Sequence, residues 1–314
     1  MSVEAQKSKH GSRQRLMSAS PRTANRFPRF PSGLAKLLQP ILVMTVALIL
    51  WTVTGSEGLA WGPAGHRLVN GWAIETLPPE MRSFFEANRQ ILVDHASDAD
   101  ELMKTDRYER NRHYIYLDKY GLFPFLALPH SYRAAVERYG KGRIGHDGTL
   151  PWQIGEYSLR LTNALKAEKW EEAKLDAAFL GHYVADAHDP LHTTQNFDGQ
   201  LTEETGLELR FAGRLVERYT NFFVLHADQA DKIGDPTEYA FGAVLEAHTW
   251  VDHIILADRQ SREDLPGYND DYLERFYRQI GSTAMQELNA AAHDAGSYWY
   301  TAWLNAGRPT LPAR

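Results

Sequence analysis

From residue 61 to residue 304 the apolar positions recur at helical spacing. No stretch shows the sustained alternation of β-branched and polar residues that marks a strand. Over residues 63–77, Val69, Trp72, Ala73 and Leu77 fall at i, i+3, i+4 and i+8 and so share one helical face. The Pro78-Pro79 pair ends that segment, since a proline ring removes a backbone donor and clashes with the preceding turn. The same reading predicts helices over 152–167 and 170–187, the second closed by Pro190, and long helical stretches over 239–258 and 272–304. Residues 119–128, 139–151 and 193–206 read as loops. The expectation is one all-α, multi-helix domain over 61–314, with no internal repeat or boundary. At 43% hydrophobic residues, a chain of this length can bury a sizeable core.

Residues 1–60 have a different character. A basic stretch containing Pro and Ser leads into a 13-residue apolar run, 41–53, shorter than the ~20 residues a membrane-spanning helix needs. Small and polar residues follow, and Gly58 and Ala60 suit the positions ahead of a signal-peptidase cut. Residues 1–60 are therefore expected to be a signal peptide, cleaved before Trp61, giving a secreted or periplasmic protein. Met17 is an alternative start, and an uncleaved membrane anchor is the competing reading.

Of 34 basic and 40 acidic side chains, eight basic and two acidic lie in residues 1–60. Residues 61–314 thus carry 26 and 38, a formal net charge of −12. Such a body has no broad basic footprint for duplex nucleic acid. The absence of cysteine excludes disulfides, thiolate metal sites and cysteine nucleophiles, so any metal must be held by His, Asp, Glu or backbone groups. No Gly-rich phosphate loop and no Gly-x-Ser-x-Gly turn is present.

The strongest chemical signal is residues 179–192. His182 and Asp186 are four apart, on one helix face, where an imidazole and a carboxylate can converge on a cation such as zinc. Pro190 ends the helix and lets His192 return toward the same cleft, whereas His188 falls on another face and reads as structural. Two further segments are candidates to complete a cluster. One holds Asp98, Asp100 and Glu101, followed by His113. The other is Trp61-Gly62-Pro63-Ala64-Gly65-His66, where a freed Trp61 offers its amine and carbonyl as a five-membered chelate and His66 adds a nitrogen.

In order and spacing these pieces resemble the zinc-dependent phospholipase C / S1–P1 nuclease superfamily, over most of residues 61–314. The resemblance implies an exported, all-helical hydrolase with clustered zinc ions whose mature chain opens on a zinc-binding tryptophan. Carried onto this sequence, it puts ligands at Trp61, His66, Asp100 (or Asp98), His113, His182, Asp186 and His192. Asp186 would bridge two metals, with Trp61 and His66 completing one and Asp100, His113 and His182 the other. The Trp-Gly-x-x-Gly-His opening looks more like the nuclease branch. The third site departs from the pattern: Glu208 stands where a His is expected and Ala212 where a carboxylate is expected. Glu208 can still offer oxygen; Ala212 offers nothing. The third site is therefore weakened, absent, or rebuilt from Glu203, Glu204 or Glu217.

The implied activity is phosphodiester hydrolysis by metal-activated water, with two zinc ions and a third in question, and with Asp100 as ligand or as the group that orients or deprotonates that water. The substrate is a phospholipid or a single-stranded nucleic acid, and no obligatory protein partner is implied. Tyr116, Tyr120, Phe123 and Phe125 follow His113 and are candidates to line a substrate cleft. The competing readings are a catalytically weakened zinc-binding relative and a membrane-anchored helical protein.

Overall fold

The computed structural model describes residues 60–226 and 228–312, all within one compact unit. The proposed leader before residue 60 lies outside the described residues. The elements are all helical: α1 Gly62–Thr76, α2 Pro79–Ala87, α3 Arg89–Asp94, α4 Asp98–Leu102, α5 Tyr132–Tyr139, α6 Lys141–Asp147, α7 Leu150–Lys166 and α8 Trp170–Ala187. A π-helical turn, Leu209–Leu215, runs into α9, Val216–Tyr219; α10 Pro236–His248, α11 Val251–Arg262 and α12 Asp270–Asn305 follow. Short 3₁₀ turns at Arg110–Arg112, Leu117–Tyr120, Pro190–Thr193 and Thr220–Phe222 link them. No strand occurs among the described residues, so the expected all-α, single-domain class holds.

Two stretches differ from the sequence expectation. The long stretch over 239–258 is two helices, broken at Thr249-Trp250. Thr249 turns its hydroxyl back to donate to the Glu246 carbonyl at 2.7 Å, which tightens and closes the last turn of α10. Conversely, the expected loop over 139–151 contains α6, because Ile144 is drawn fully into the core. Tertiary burial decides for a helix there.

Helix α8 is the centre of the molecule, buried along almost its whole length from Ala173 to Ala187. It packs against α1, α7 and α12, and three polar cross-links fix the register. The Asn70 side-chain amide of α1 donates to the Ala178 and Leu92 carbonyls at 3.1 and 3.0 Å, joining α1 to α8 and α3. The Trp299 indole of α12 donates to the Ala177 carbonyl at 3.0 Å. Asn70 and Trp299 crowd the α8 backbone so closely that Gly181 has no space for a Cβ. Around these links Phe85, Ile74, Leu77 and Met81 are fully buried, each contributing about 1.5–3 kcal/mol of transfer free energy. With α1 and α8 held in this register, His66 on one faces His182 and Asp186 on the other.

Candidate metal centre

His182 and Asp186 project from the last two turns of α8, as their i, i+4 spacing predicts, and both are fully buried. The structure gathers two groups of potential ligands around them. One is His66, His182 and Asp186, the other Asp100, His113 and His182, and within each the ligand atoms lie within 4.8 Å of one another. Asp186 faces both ways. Its Oδ1 is 3.5 Å from His66 Nε2, and its Oδ2 is 3.0 Å from His113 Nδ1 and 3.4 Å from His182 Nε2. Asp100 Oδ1 is 3.6 Å from His182 Nε2 and 3.8 Å from His113 Nδ1. Asp98, the alternative, is half exposed and pairs with His95 at 2.6 Å instead.

Backbone carbonyls set the tautomers. His182 Nδ1 donates to the Ala96 carbonyl at 2.7 Å and His192 Nδ1 to the His113 carbonyl at 2.6 Å. In the neutral ring each Nε2 then carries its lone pair inward, the arrangement of a histidine prepared for a metal. His66 stacks on His182 with ring centroids 3.9 Å apart, and neither of its nitrogens has a hydrogen-bond partner. Asp100 Oδ2 and Asp186 Oδ1 are likewise buried and without a hydrogen bond, while His113 Nε2 is turned to Glu109. Buried polar atoms are ordinarily satisfied, and leaving one unmet costs about 1–3 kcal/mol. Several such atoms converging in one place, all of them N or O donors to metals, fit a bound cation.

The protonation states differ from group to group, and a cation would have to displace the proton that His182 otherwise holds. Burial together with neighbouring His182 holds His66 well below its ordinary value, so the ring stays neutral. Burial pushes Asp100 up, only partly offset by His182. Burial alone would raise Asp186, but His182 and His113 outweigh it and hold the carboxyl well below the usual range. His182 shows the reverse contest: burial lowers it, while Asp186 and Asp100 lift it to about 9.

Trp61 is fully buried, its indole donating to the Ala185 carbonyl at 2.8 Å and packing on Phe211. Gly65 belongs to the same motif because a Cβ there would stand 2.5 Å from Trp61 Cβ. The Trp61 carbonyl accepts the Gly65 N–H at 3.2 Å, which leaves a second lone pair. Ala60, just before it, lines a narrow cleft of about 30 Å³ together with Asp100, His113, His192, Glu208, Arg110, Tyr114, Tyr116 and Phe197.

His192 and Glu208 stand beside the two groups as a pair, Nε2 to Oε1 3.2 Å, at the far side of that cleft. Ala212 is buried against the Gly62 backbone and adds no donor. Among the proposed substitutes, Glu204 pairs with Arg259, and Glu203 and Glu217 face solvent. Of the four candidate aromatics only Tyr116 lines the cleft, stacked with Tyr114 at 4.4 Å and facing Phe197 at 6.0 Å. Tyr120 and Phe125 are buried, and Phe123 is exposed to solvent.

Two residues of the site escaped the sequence reading. Glu109, almost fully buried, sits 3.4 Å from His113 Nε2 and accepts from Tyr183 and Arg112. Burial opposes its ionisation, yet hydrogen bonds with His113, Tyr183 and Arg112 prevail and hold it down to about 2. The Glu109/His113 spacing of four was the available signal. Asp189 is fully buried between His192 and Glu208, and burial lifts it to about 7; one oxygen caps Leu191 N–H and the other has no partner. His188, read as structural, lies apart from the cluster. It sits between Asp294 at 2.9 Å and Glu287 at 3.5 Å on α12.

No family model matches the chain, and no curated protein matches it. Among solved structures it is similar to an alpha toxin from Clostridium absonum, with a TM-score of 0.52 and 14% identity. The match covers 82% of this chain, which spans 66% of the toxin's length. At that identity the likeness shows a shared all-α fold.

Proposed function

We propose that this chain is an exported, zinc-dependent phosphodiester hydrolase. The observation that carries the reading is the set of buried, partnerless donor atoms of His66, Asp100 and Asp186 converging around His182. The shared fold with the toxin is compatible with it. His66 with Asp186, and Asp100 with His113 and His182, would hold two ions, with Asp186 common to both. Cleavage before Trp61 would add its amine and carbonyl. Zinc so held supplies Lewis acidity toward phosphate oxygens and lowers the pKa of water.

The chain's own groups do the rest. Asp100 opens on the cleft with a free oxygen and an elevated pKa, which suits it to hold and take a proton from the attacking water. Glu109 fixes the His113 ring. Arg110 lines the cleft and brings positive charge toward a phosphate. The Tyr114, Tyr116 and Phe197 rings give the group beside the phosphate a flat apolar wall. At the third position the His192/Glu208 pair offers one nitrogen and one carboxylate, and Ala212 adds no donor.

Metal analysis with phosphodiesterase assays on wild type and His182→Ala tests the proposal. Two zinc ions per chain and turnover of an aryl phosphodiester are expected in wild type, with both lost in the variant. Unchanged zinc and turnover in His182→Ala would sink the assignment. N-terminal sequencing of exported protein should read Trp-Gly-Pro-Ala-Gly-His.

A further inference from the structure

The segment between the 3₁₀ turn Leu117–Tyr120 and α5 presents three large apolar side chains to solvent. Leu122 is 92% exposed, Leu126 87% and Phe123 57%. They stand on a built loop. Phe125 turns inward as the anchor, buried against His248, and is held there in the left-handed region at φ 57. A bulky residue adopts that conformation only when its surroundings impose it. Backbone bonds from Phe125 N–H to the Leu122 carbonyl (2.8 Å) and from Leu128 N–H to the Phe125 carbonyl (2.9 Å) close the loop, and the Tyr139 hydroxyl donates to the Ala127 carbonyl at 2.8 Å. With Phe125 inside, the side chains on either side of it are turned outward.

The base of this loop is basic in an otherwise acidic body. Residues 117–147 carry five Lys/Arg and three Asp/Glu, against 26 and 38 over residues 61–314. Arg143 donates to the Lys119 carbonyl at 2.8 Å and lies over the Tyr120 and Tyr139 rings; Arg138 lies over Tyr139, and Lys141 is exposed between them in sequence. Asp118 is engaged with the Gln195 N–H and the Thr194 hydroxyl, Glu137 with Arg133, and Asp147 with Arg143 and His146.

We infer that this loop docks the protein on an anionic lipid surface, with Leu122, Phe123 and Leu126 entering the acyl boundary and Lys119, Arg138, Lys141 and Arg143 meeting the headgroups. An apolar tip over a cationic collar is what an interfacial anchor requires. A second copy is a poorer occupant. The other large cavities described here are lined mostly by charged and polar residues and offer no apolar socket, whereas a bilayer needs no complementary shape. The docked face adjoins the metal centre. Phe125 touches His248, and His248 Nδ1 is 2.9 Å from the hydroxyl of Thr193, the neighbour of His192. Docking goes beyond the hydrolase reading and stands without it.

The chain has no cysteine, so Leu126→Cys in the full chain takes a single environment-sensitive fluorophore. Leu122→Cys repeats the measurement, and Leu159→Cys on α7, 61% exposed, is the control. On phosphatidylglycerol/phosphatidylcholine vesicles the label at 126 or 122 should brighten at least about threefold and be quenched by nitroxide lipids. Pure phosphatidylcholine or high salt should weaken the response, and the label at 159 should not respond. Three outcomes overturn the inference: no response at 126 and 122; an equal response at 159, as when the apolar run 41–53 alone brings the chain to the vesicle; or labels at 126 and 122 already shielded without vesicles, as under the leader or a second copy. Aryl phosphodiester turnover by the same labelled proteins separates the two proposals. Docking without turnover defeats the hydrolase reading alone, and turnover without docking defeats the surface alone.

Discussion

Two buried histidine–carboxylate clusters lie on either side of the C-terminal end of α8 in sequence, at His182/Asp186 and at His188, and they are built on opposite plans. In the cluster around His182 and Asp186, one His66 nitrogen after another and one Asp100 oxygen have nothing to bond. In the cluster around His188, every ionisable group has a protein partner. Asp294 takes His188 Nε2 on one oxygen and the Tyr239 hydroxyl (2.8 Å) and His293 Nδ1 (3.1 Å) on the other, and Glu287 faces His188 Nδ1. The residue types are the same and both sites are buried. What differs is whether the valences close within the protein. A closed network stabilises the fold, whereas an open one is costly until a cation closes it.

That contrast can be broken. The largest effect is expected from Asp186→Asn, since one of its oxygens faces His66 and the other faces His113 and His182. Its loss of zinc affinity and turnover should exceed the roughly 100-fold upper range for outer-shell partners. Zinc content retained at wild-type level would refute the shared-ligand role. Next comes Asp294→Ala, which leaves the buried charged His188 with Glu287 as its one acidic partner and frees the Tyr239 hydroxyl. It should lower unfolding stability by about 3–5 kcal/mol in urea titrations while leaving zinc per chain unchanged. A fall in zinc content would mean the two clusters are not independent.

Glu109→Gln should sit below Asp186→Asn in its effect on zinc, with a roughly 10–100-fold loss in metal affinity by competition titration. It should also lower urea stability of the metal-free protein near neutral pH, because the depressed carboxyl stabilises the fold there. The smallest effect is in pH dependence. Burial lowers His188, but Asp294 and Glu287 lift it from 6.5 to about 10. A raised histidine contributes fully below pH 6.5 and loses its contribution as pH rises toward 10. Asp294, held well below 3.8, contributes above that value and loses its contribution only in strong acid. The stability gap between wild type and Asp294→Ala should therefore narrow between pH 7 and pH 10; a constant gap would assign the effect to packing instead.

The legibility of the two clusters also differed. His182, Asp186 and His192 could be found because helical spacing and a helix-ending proline are local, and the helix over Trp170–Ala187 has the bounds its sequence predicts. Asp100, His113 and His66 needed the family resemblance, since only tertiary packing brings α1, α4 and the Arg110–Arg112 turn against α8. Asp98 and Asp100 look alike in sequence and were separated only by burial. The partners of His188 were invisible, because Glu287 and Asp294 lie about a hundred residues away on α12, with ordinary helical surroundings. Glu109 had a usable signal, four residues before a candidate ligand, but an acidic residue in a charged stretch reads as solvated until its burial is known.

The anchoring of Trp61 has a consequence for how a chain end behaves. Termini usually fray, because the last residues have few contacts to restrain them. Trp61 is restrained by its side chain, through the indole bond to Ala185 and the contact with Phe211, and neither depends on the peptide bond before it. An end created there would be as immobile as a core residue. Its new amine would start life already in place, with almost no ordering entropy left to lose, and proteolysis would act as the last step of assembly rather than as a release.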